Sequence, residues 1–249
     1  MSEANAVDCA AVLFDFAGTL FDDRDLRDVQ LQQLRFIADA AGVQPADIGD
    51  RGLRAAYRTG MGVAYGAVAT QPAYLHRTLF AAAFTAMAEI LGGQIDEATA
   101  QHAVDRQYRA TIDHAVLRPD CLQTLEALRI AGLHVQIVSN IDDEQLDPML
   151  DRLGLHRVID AATSSQAARS CKPDPAIYHL ALSKAGVEPA RALFVGDSLG
   201  HDVSGPAAVG LRTAWLARRE AADPGEARPD AVIHALAEVL ELVSLGASR

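Results

Sequence analysis

Apolar positions along the chain fall into two textures. Short continuous runs, "AAVLFDF" (Ala10 to Phe16), "LHVQIVS" (Leu133 to Ser139), "RALFVGD" (Arg191 to Asp197) and "LRTAWLA" (Leu211 to Ala217), predict strands buried on both faces. Between them the apolar residues recur at helical spacing. Leu122, Leu125, Leu128 and Ile130 follow Pro119 and stop at Gly132, and further helices are expected over 143–153, 175–185 and 235–245. A polar Pro/Gly loop, Arg219 to Asp230, precedes a very short last strand at 231–233. This alternation predicts an α/β core, an open parallel sheet with helices on both faces.

From Asp22 to about Ala115 the period is helical throughout, carried by Leu26, Val29, Leu34, Ile37 and Ala41 and again by Leu75, Leu79, Ala83 and Met87. No strand pattern intervenes. An all-helical domain over 23–114 is therefore expected, inserted after the first strand of a core made of 1–22 and 115–249. The stretch "TGMGVAYGA" (Thr59 to Ala67) has the wrong glycine spacing for a dinucleotide-binding loop, and a loop between inserted helices is expected there.

Composition narrows the function classes. At 249 residues, half of them hydrophobic, the chain can bury a sizeable core. A net charge of −11 with no Lys/Arg block argues against nucleic acid or an anionic membrane surface as partner. No basic-headed apolar leader and no bilayer-length apolar run is present, so a cytoplasmic protein acting on small molecules is expected; the pattern says nothing of oligomeric state. Cys9, Cys121 and Cys171 are widely spaced and form no CxxC pair, which predicts buried thiols in place of a disulfide or zinc framework.

Ligands of open parallel sheets sit beyond the carboxyl ends of the strands, where this chain places Asp15, Ser139-Asn140 and Gly196-Asp197. Lys172, one of only two lysines, lies in the Pro-rich turn "SCKPDP". Ser139, Lys172, Asp197 and Asp202 are the residue types that hold a phosphate and a hard cation. Singly, Asp15 reads as a turn cap, Ser139 as a helix N-cap, Lys172 as a solvated loop residue and Asp202 as an acid at a helix start. Their common position at strand ends and adjoining turns favours a site.

The order and spacing of these groups resemble the haloacid dehalogenase superfamily of hydrolases. "DFAGTL" matches its first motif, Asp-x-Asp-x-Thr, except at Ala17; Ser139 in "IVSN" matches the second, Lys172 before Pro the third, and "GDSLGHD" the fourth. The resemblance implies a Rossmann-like core with a helical cap and an Mg2+-dependent phosphatase reaction on a small phosphorylated metabolite. Asp15 would attack phosphorus to form an aspartyl phosphate, Ser139, Asn140 and Lys172 would bind the phosphoryl group, and Thr19 would support the loop. The metal would be held by Asp15, the backbone carbonyl of Ala17 and Asp197, with Asp202 completing the set and orienting Lys172 or the metal's water. Substrate selection would reside near Asp23 to Ala67.

Ala17 departs from the pattern. The family's second Asp protonates the leaving oxygen and then activates water, and alanine does neither. A leaving group that departs without a proton, as in acyl or aryl phosphates, needs this help least. His76, His102 and His201 are the candidate substitutes, although each also reads as an exposed residue. Phosphonoacetaldehyde hydrolase is similar in having Ala at this position, but it uses a cap lysine, and the insertion contains none. Haloacid dehalogenases also lack the second Asp, and Arg51, Arg54 or Arg58 would face a carboxylate substrate in that reading; the retained Asp197 and Asp202 argue against it. A phosphate-binding or regulatory protein without turnover is the non-enzymatic alternative.

Overall fold

The first apolar run becomes β1 (Ala11–Phe14), fully buried in the computed structural model of the protein, which describes residues 9–22, 26–217 and 227–244. The chain then forms helices α1 (Arg27–Ala40), α2 (Pro45–Val68), α3 (His76–Ile90) and α4 (Glu97–His114). It continues through α5 (Cys121–Ile130), β2 (His134–Ser139), α6 (Asp143–Arg152), β3 (Ala161–Ser164), α7 (Ser165–Ala168) and α8 (Pro175–Ala185). β4 (Ala192–Gly196), a π-helical turn (Leu199–Ser204), α9 (Gly205–Ala208), β5 (Arg212–Leu216), β6 (Ala231–Ile233) and α10 (Val239–Ser244) complete the order. Two compact units result: an α/β unit that ends at Asp22 and resumes at Val116, and a helical unit between them that ends at Ala115.

The sheet is six-stranded and parallel, in the order β3-β2-β1-β4-β5-β6. β1 is central, with Phe14 level with Ile137 on β2 and with Val195 on β4. The strand order reverses between β1 and β4, so the loops after these two strands diverge and leave a crevice. Ala11 and Leu13 pack with Ile177, Tyr178 and Ala181 of α8, while Val12 and Phe14, equally buried, point to the other face. This two-sided burial is why the strand reads as a continuous apolar run.

Strand β3 is not anticipated by the sequence. Its "AATS" has no apolar run, and its place comes from the ladder with β2, reinforced by a buried bond from Gln136 Nε2 to Thr163 Oγ1 at 2.8 Å. A second correction concerns Thr59 to Ala67, which lies inside α2 and forms no loop. The reason is packing: a Cβ on Gly60 would stand 2.5 Å from the Ala83 carbonyl oxygen, so the bare Cα is what lets α2 lie against α3. The true break in α2 is at Gly49, where φ is +68°. Leu34, Ile37, Phe84, Met87, Val104 and Tyr108 fill the interior of this unit.

The last helix begins with a 3-10 turn at Leu236–Glu238, and its expected end at 245 lies outside the described residues, as does most of the polar loop before β6. Cys121 and Cys171 are buried, whereas Cys9 is half-buried and donates to the Ala11 carbonyl. Among the described residues no helix is long and apolar enough to cross a membrane.

Candidate active site

Asp15 directly follows β1, and its N–H extends the ladder to the Val195 carbonyl at 2.9 Å. The chain then turns tightly: Thr19 and Leu20 donate to the Phe16 carbonyl and Gly18 donates to that of Phe21. Gly18 has φ of +84°, and a Cβ there would stand 2.6 Å from the Asp197 carboxylate, so both the conformation and the close approach require glycine. The Thr19 hydroxyl, fully buried, donates to Asp15 Oδ2 at 3.4 Å. Ala17 is exposed on the same turn.

Lys172 enters from the turn before α8. Its Nζ lies 2.6 Å from Asp15 Oδ1 and 2.7 Å from Asp202 Oδ1, and the residue is only 4% exposed. Burial alone pulls such a lysine's pKa down, but the two carboxylates outweigh it and hold the ammonium above its ordinary value. Burial pushes the Asp202 carboxyl up, opposed by the Lys172 charge. Asp202 sits in the π-helical turn, an arrangement often found at functional sites, and its Oδ2 accepts from the Ser198 N–H at 2.9 Å. A Cβ on Gly196 would stand 2.3 Å from Asp202 Cγ, so this glycine too makes room for an acid.

Asp197 completes the group, its backbone carbonyl held by Trp215 Nε1 at 3.0 Å. One carboxylate oxygen each from Asp15, Asp197 and Asp202 lies within 4.8 Å of the others. Three carboxylates face one ammonium, which leaves a deficit of positive charge in a site made of hard oxygen donors, and this donor set fits Mg2+.

The structure puts Asn140 to a use the sequence does not disclose. Its Nδ2 donates to the Lys172 carbonyl at 2.9 Å and its Oδ1 accepts from the Lys172 N–H at 2.6 Å, so the amide clasps the lysine's backbone at both ends. Ser139 is buried at the end of β2, on the strand beside β1, and the N-cap of the following helix is Asp142.

Residues 9–210 match the family described as haloacid dehalogenase-like hydrolases. The chain belongs to that family. Among curated haloacid dehalogenase-like proteins it is 38% identical over 101 residues to (S)-2-haloacid dehalogenase 4A of Burkholderia cepacia, covering 41% of this chain and 43% of that protein. It is 30% identical over 148 residues to the ribulose-1,5-bisphosphate 5-phosphatase of Halopiger xanaduensis, covering 56% of this chain and 62% of that one. The chain thus matches less than two thirds of either relative's length. The magnesium-bound HAD-hydrolase YfnB from Bacillus subtilis shares the fold, with a TM-score of 0.76 at 19% identity over 95% of this chain and 99% of that one.

The other residues that the sequence offers fall in the helical unit, except His201, which directly precedes Asp202 and is close enough to Lys172 and Asp15 to feel their charges. His76 on α3 is buried beside Tyr74 and Phe80, contrary to its reading as an exposed helix residue, because it opens the helix on its aromatic side. His102 on α4 is exposed, its ring 5.8 Å from that of Phe36. Arg51, Arg54 and Arg58 all lie on α2, with Arg54 donating to the Arg27 carbonyl. His201 is exposed in the π-helical turn.

Proposed function

We propose that the protein is an Mg2+-dependent phosphohydrolase for a small phosphorylated metabolite, with Asp15 as nucleophile. The observation that carries this reading is the buried ammonium of Lys172 shared between Asp15 and Asp202, with Asp197 beside them. A carboxylate and a phosphate repel each other unless their charge is neutralised, and this chain supplies one fixed cation and ligands for a second. Asp15, Asp197 and the carbonyl of Ala17 would hold Mg2+, which would supply the remaining neutralisation and Lewis-acid polarisation when bound.

The Asp15 carboxylate forms the new O–P bond as the bond to the leaving oxygen breaks, and the electron pair departs on that oxygen. Lys172 and Ser139 hold the phosphoryl oxygens. Asp202 aims the lysine ammonium, and Asn140 fixes the lysine's backbone. Ala17 has no proton to give, so alkyl phosphates lose acid assistance worth about 10²–10⁴-fold, and acyl or aryl phosphates lose least. The helical unit over 23–114 acts as the cap that selects the substrate and excludes water. The phosphatase activity named for the Halopiger relative supports the substrate class.

A second reading, cleavage of a 2-haloacid, is favoured by Ala17 and by the activity named for the Burkholderia relative. That carbon-centred displacement needs no cation, and it leaves the carboxylate cluster around Asp197 without a task. One assay separates the two: phosphate release from acyl, aryl and alkyl phosphates with and without Mg2+, run beside chloride release from 2-chloropropionate, with Asp15→Asn as blank. Metal-dependent phosphate release biased toward acyl and aryl substrates is expected. Metal-independent chloride release would replace this reading with the second, and no release of either kind would point to a binding protein.

A further inference from the structure

Arg118 lies just after the boundary at which the chain re-enters the α/β unit. Its Nη2 donates to the Gly18 carbonyl at 2.7 Å, its Nε to the Thr19 carbonyl at 2.8 Å, and its backbone N–H to the Leu20 carbonyl at 2.9 Å. Three successive carbonyls are taken by one residue. The side chain is 23% exposed, and its guanidinium is also 4.0 Å from Asp22. Beside it, Leu117 forms an antiparallel bridge with Phe21.

These carbonyls belong to the turn that follows the nucleophile. Peptide units are planar, so fixing successive carbonyls also fixes the N–H groups and side-chain bonds between them. Two consequences are visible: Gly18 is seated in its left-handed conformation against Asp197, and the Thr19 hydroxyl is presented to Asp15. Bonds from a guanidinium are stronger than those from a neutral donor, and the planar fork gives them direction that an ammonium lacks. Without Arg118 the turn keeps its own bonds from Gly18, Thr19 and Leu20, so it stays folded but is free to shift.

We infer that Arg118 is a positioning residue for the nucleophile turn: its fork on the Gly18 and Thr19 carbonyls holds Asp15 and Asp197 in mutual register, and turnover depends on that fork, not on positive charge alone. The kinetic part rests on the phosphohydrolase reading; the backbone part does not. The experiment compares Arg118→Met and Arg118→Lys with the unaltered protein.

In metal-free protein, hydrogen exchange in the segment spanning Gly18 to Leu20 is expected to be about tenfold faster in Arg118→Met, with β2 protected as before. With Mg2+ and the best phosphate ester, kcat is expected to fall about tenfold to a hundredfold, the scale of a 1 Å misplacement, with KM within about twofold. Arg118→Lys is expected to recover part of both. Unchanged exchange in the turn, faster exchange spreading through β2, or full recovery by lysine would each overturn the inference. If Arg118→Met does not fold, Arg118→Lys carries the comparison alone, and unaltered exchange and kcat in it overturn the inference. An unaltered protein that hydrolyses no phosphate ester sinks the phosphohydrolase reading and leaves the exchange result to decide Arg118.

Discussion

The two units bury different kinds of residue. In the helical unit the described buried side chains are Leu, Ile, Ala, Phe, Met, Val and Tyr, joined by Gln33 and His76 as the polar ones. In the α/β unit an apolar core is joined by buried Asp15, Thr19, Ser139 and Asp202 at or beyond strand ends and by Lys172 in the turn before α8. The difference follows from geometry. Parallel strands deliver their carboxyl ends to one side, so polar groups placed there meet and can satisfy one another. Helices crossing at close range need small residues instead, as at Gly60, and gain cohesion from apolar contact. Chemistry and cohesion are thus separated along the chain, and substitutions in the two units should fail in different ways.

The largest effect is expected from Lys172→Met. It removes the charge shared by Asp15 and Asp202, and turnover should fall by about 10³-fold or more. In chelator the variant should also lose roughly 3–5 kcal/mol at neutral pH, because two buried carboxylates are left uncompensated. Burial raises the Asp202 pKa in the folded state and the Lys172 charge opposes the rise, so losing Lys172 disfavours ionisation further, and the variant's extra penalty grows as pH rises through and past the value of the unaltered protein. Denaturant midpoints should therefore differ more from the unaltered protein at about pH 8 than at about pH 5. Equal gaps at both would break the assignment of Lys172 as the charge that compensates this cluster.

Ala17→Asp sharpens the same contrast from the other side. It places a carboxylic acid two residues after the nucleophile and changes no residue of the helical unit, and turnover of alkyl phosphates should rise by about 10²-fold. An unchanged rate would show that the missing acid is not what limits these substrates. The smallest effect is expected from Gly60→Val in the helical unit. Its Cβ would collide with the backbone of α3, costing about 1–3 kcal/mol in thermal denaturation, while Mg2+ is expected to raise the melting temperature of this variant as much as that of the unaltered protein. Loss of that shift would mean that the interiors of the two units are not independent.

How far this could be read from the sequence depends on how local each cause is. The strands β1, β2, β4 and β5 are legible because they are buried on both faces, and α1 and α3 because one face repeats. β3 is not, since alanine, threonine and serine form a strand there only by borrowing the ladder of β2. Gly60 reads as a loop residue because the carbonyl it accommodates lies on another helix. At the site, Asp15 and Asp202 can be picked out because they follow strand runs and Lys172 because it is a rare lysine in a Pro-rich turn, and the structure draws their side chains together. The Asn140 clasp and the Arg118 fork have no such signature. Arg118 bonds residues about a hundred positions away, and nothing in "VLRPD" announces it.

The central position of β1 has a consequence for biosynthesis. The strand leaves the ribosome before either of its neighbours, one of which begins at His134 and the other at Ala192, and Lys172 lies 157 residues from the aspartate it joins. The helical unit, one uninterrupted stretch, can complete its contacts long before. Pairing across such separations carries the loop-closure cost late, after both neighbouring strands have been made. No chain released before Asp202 can possess the centre, so the site itself reports that translation has passed β4 and the turn that follows it.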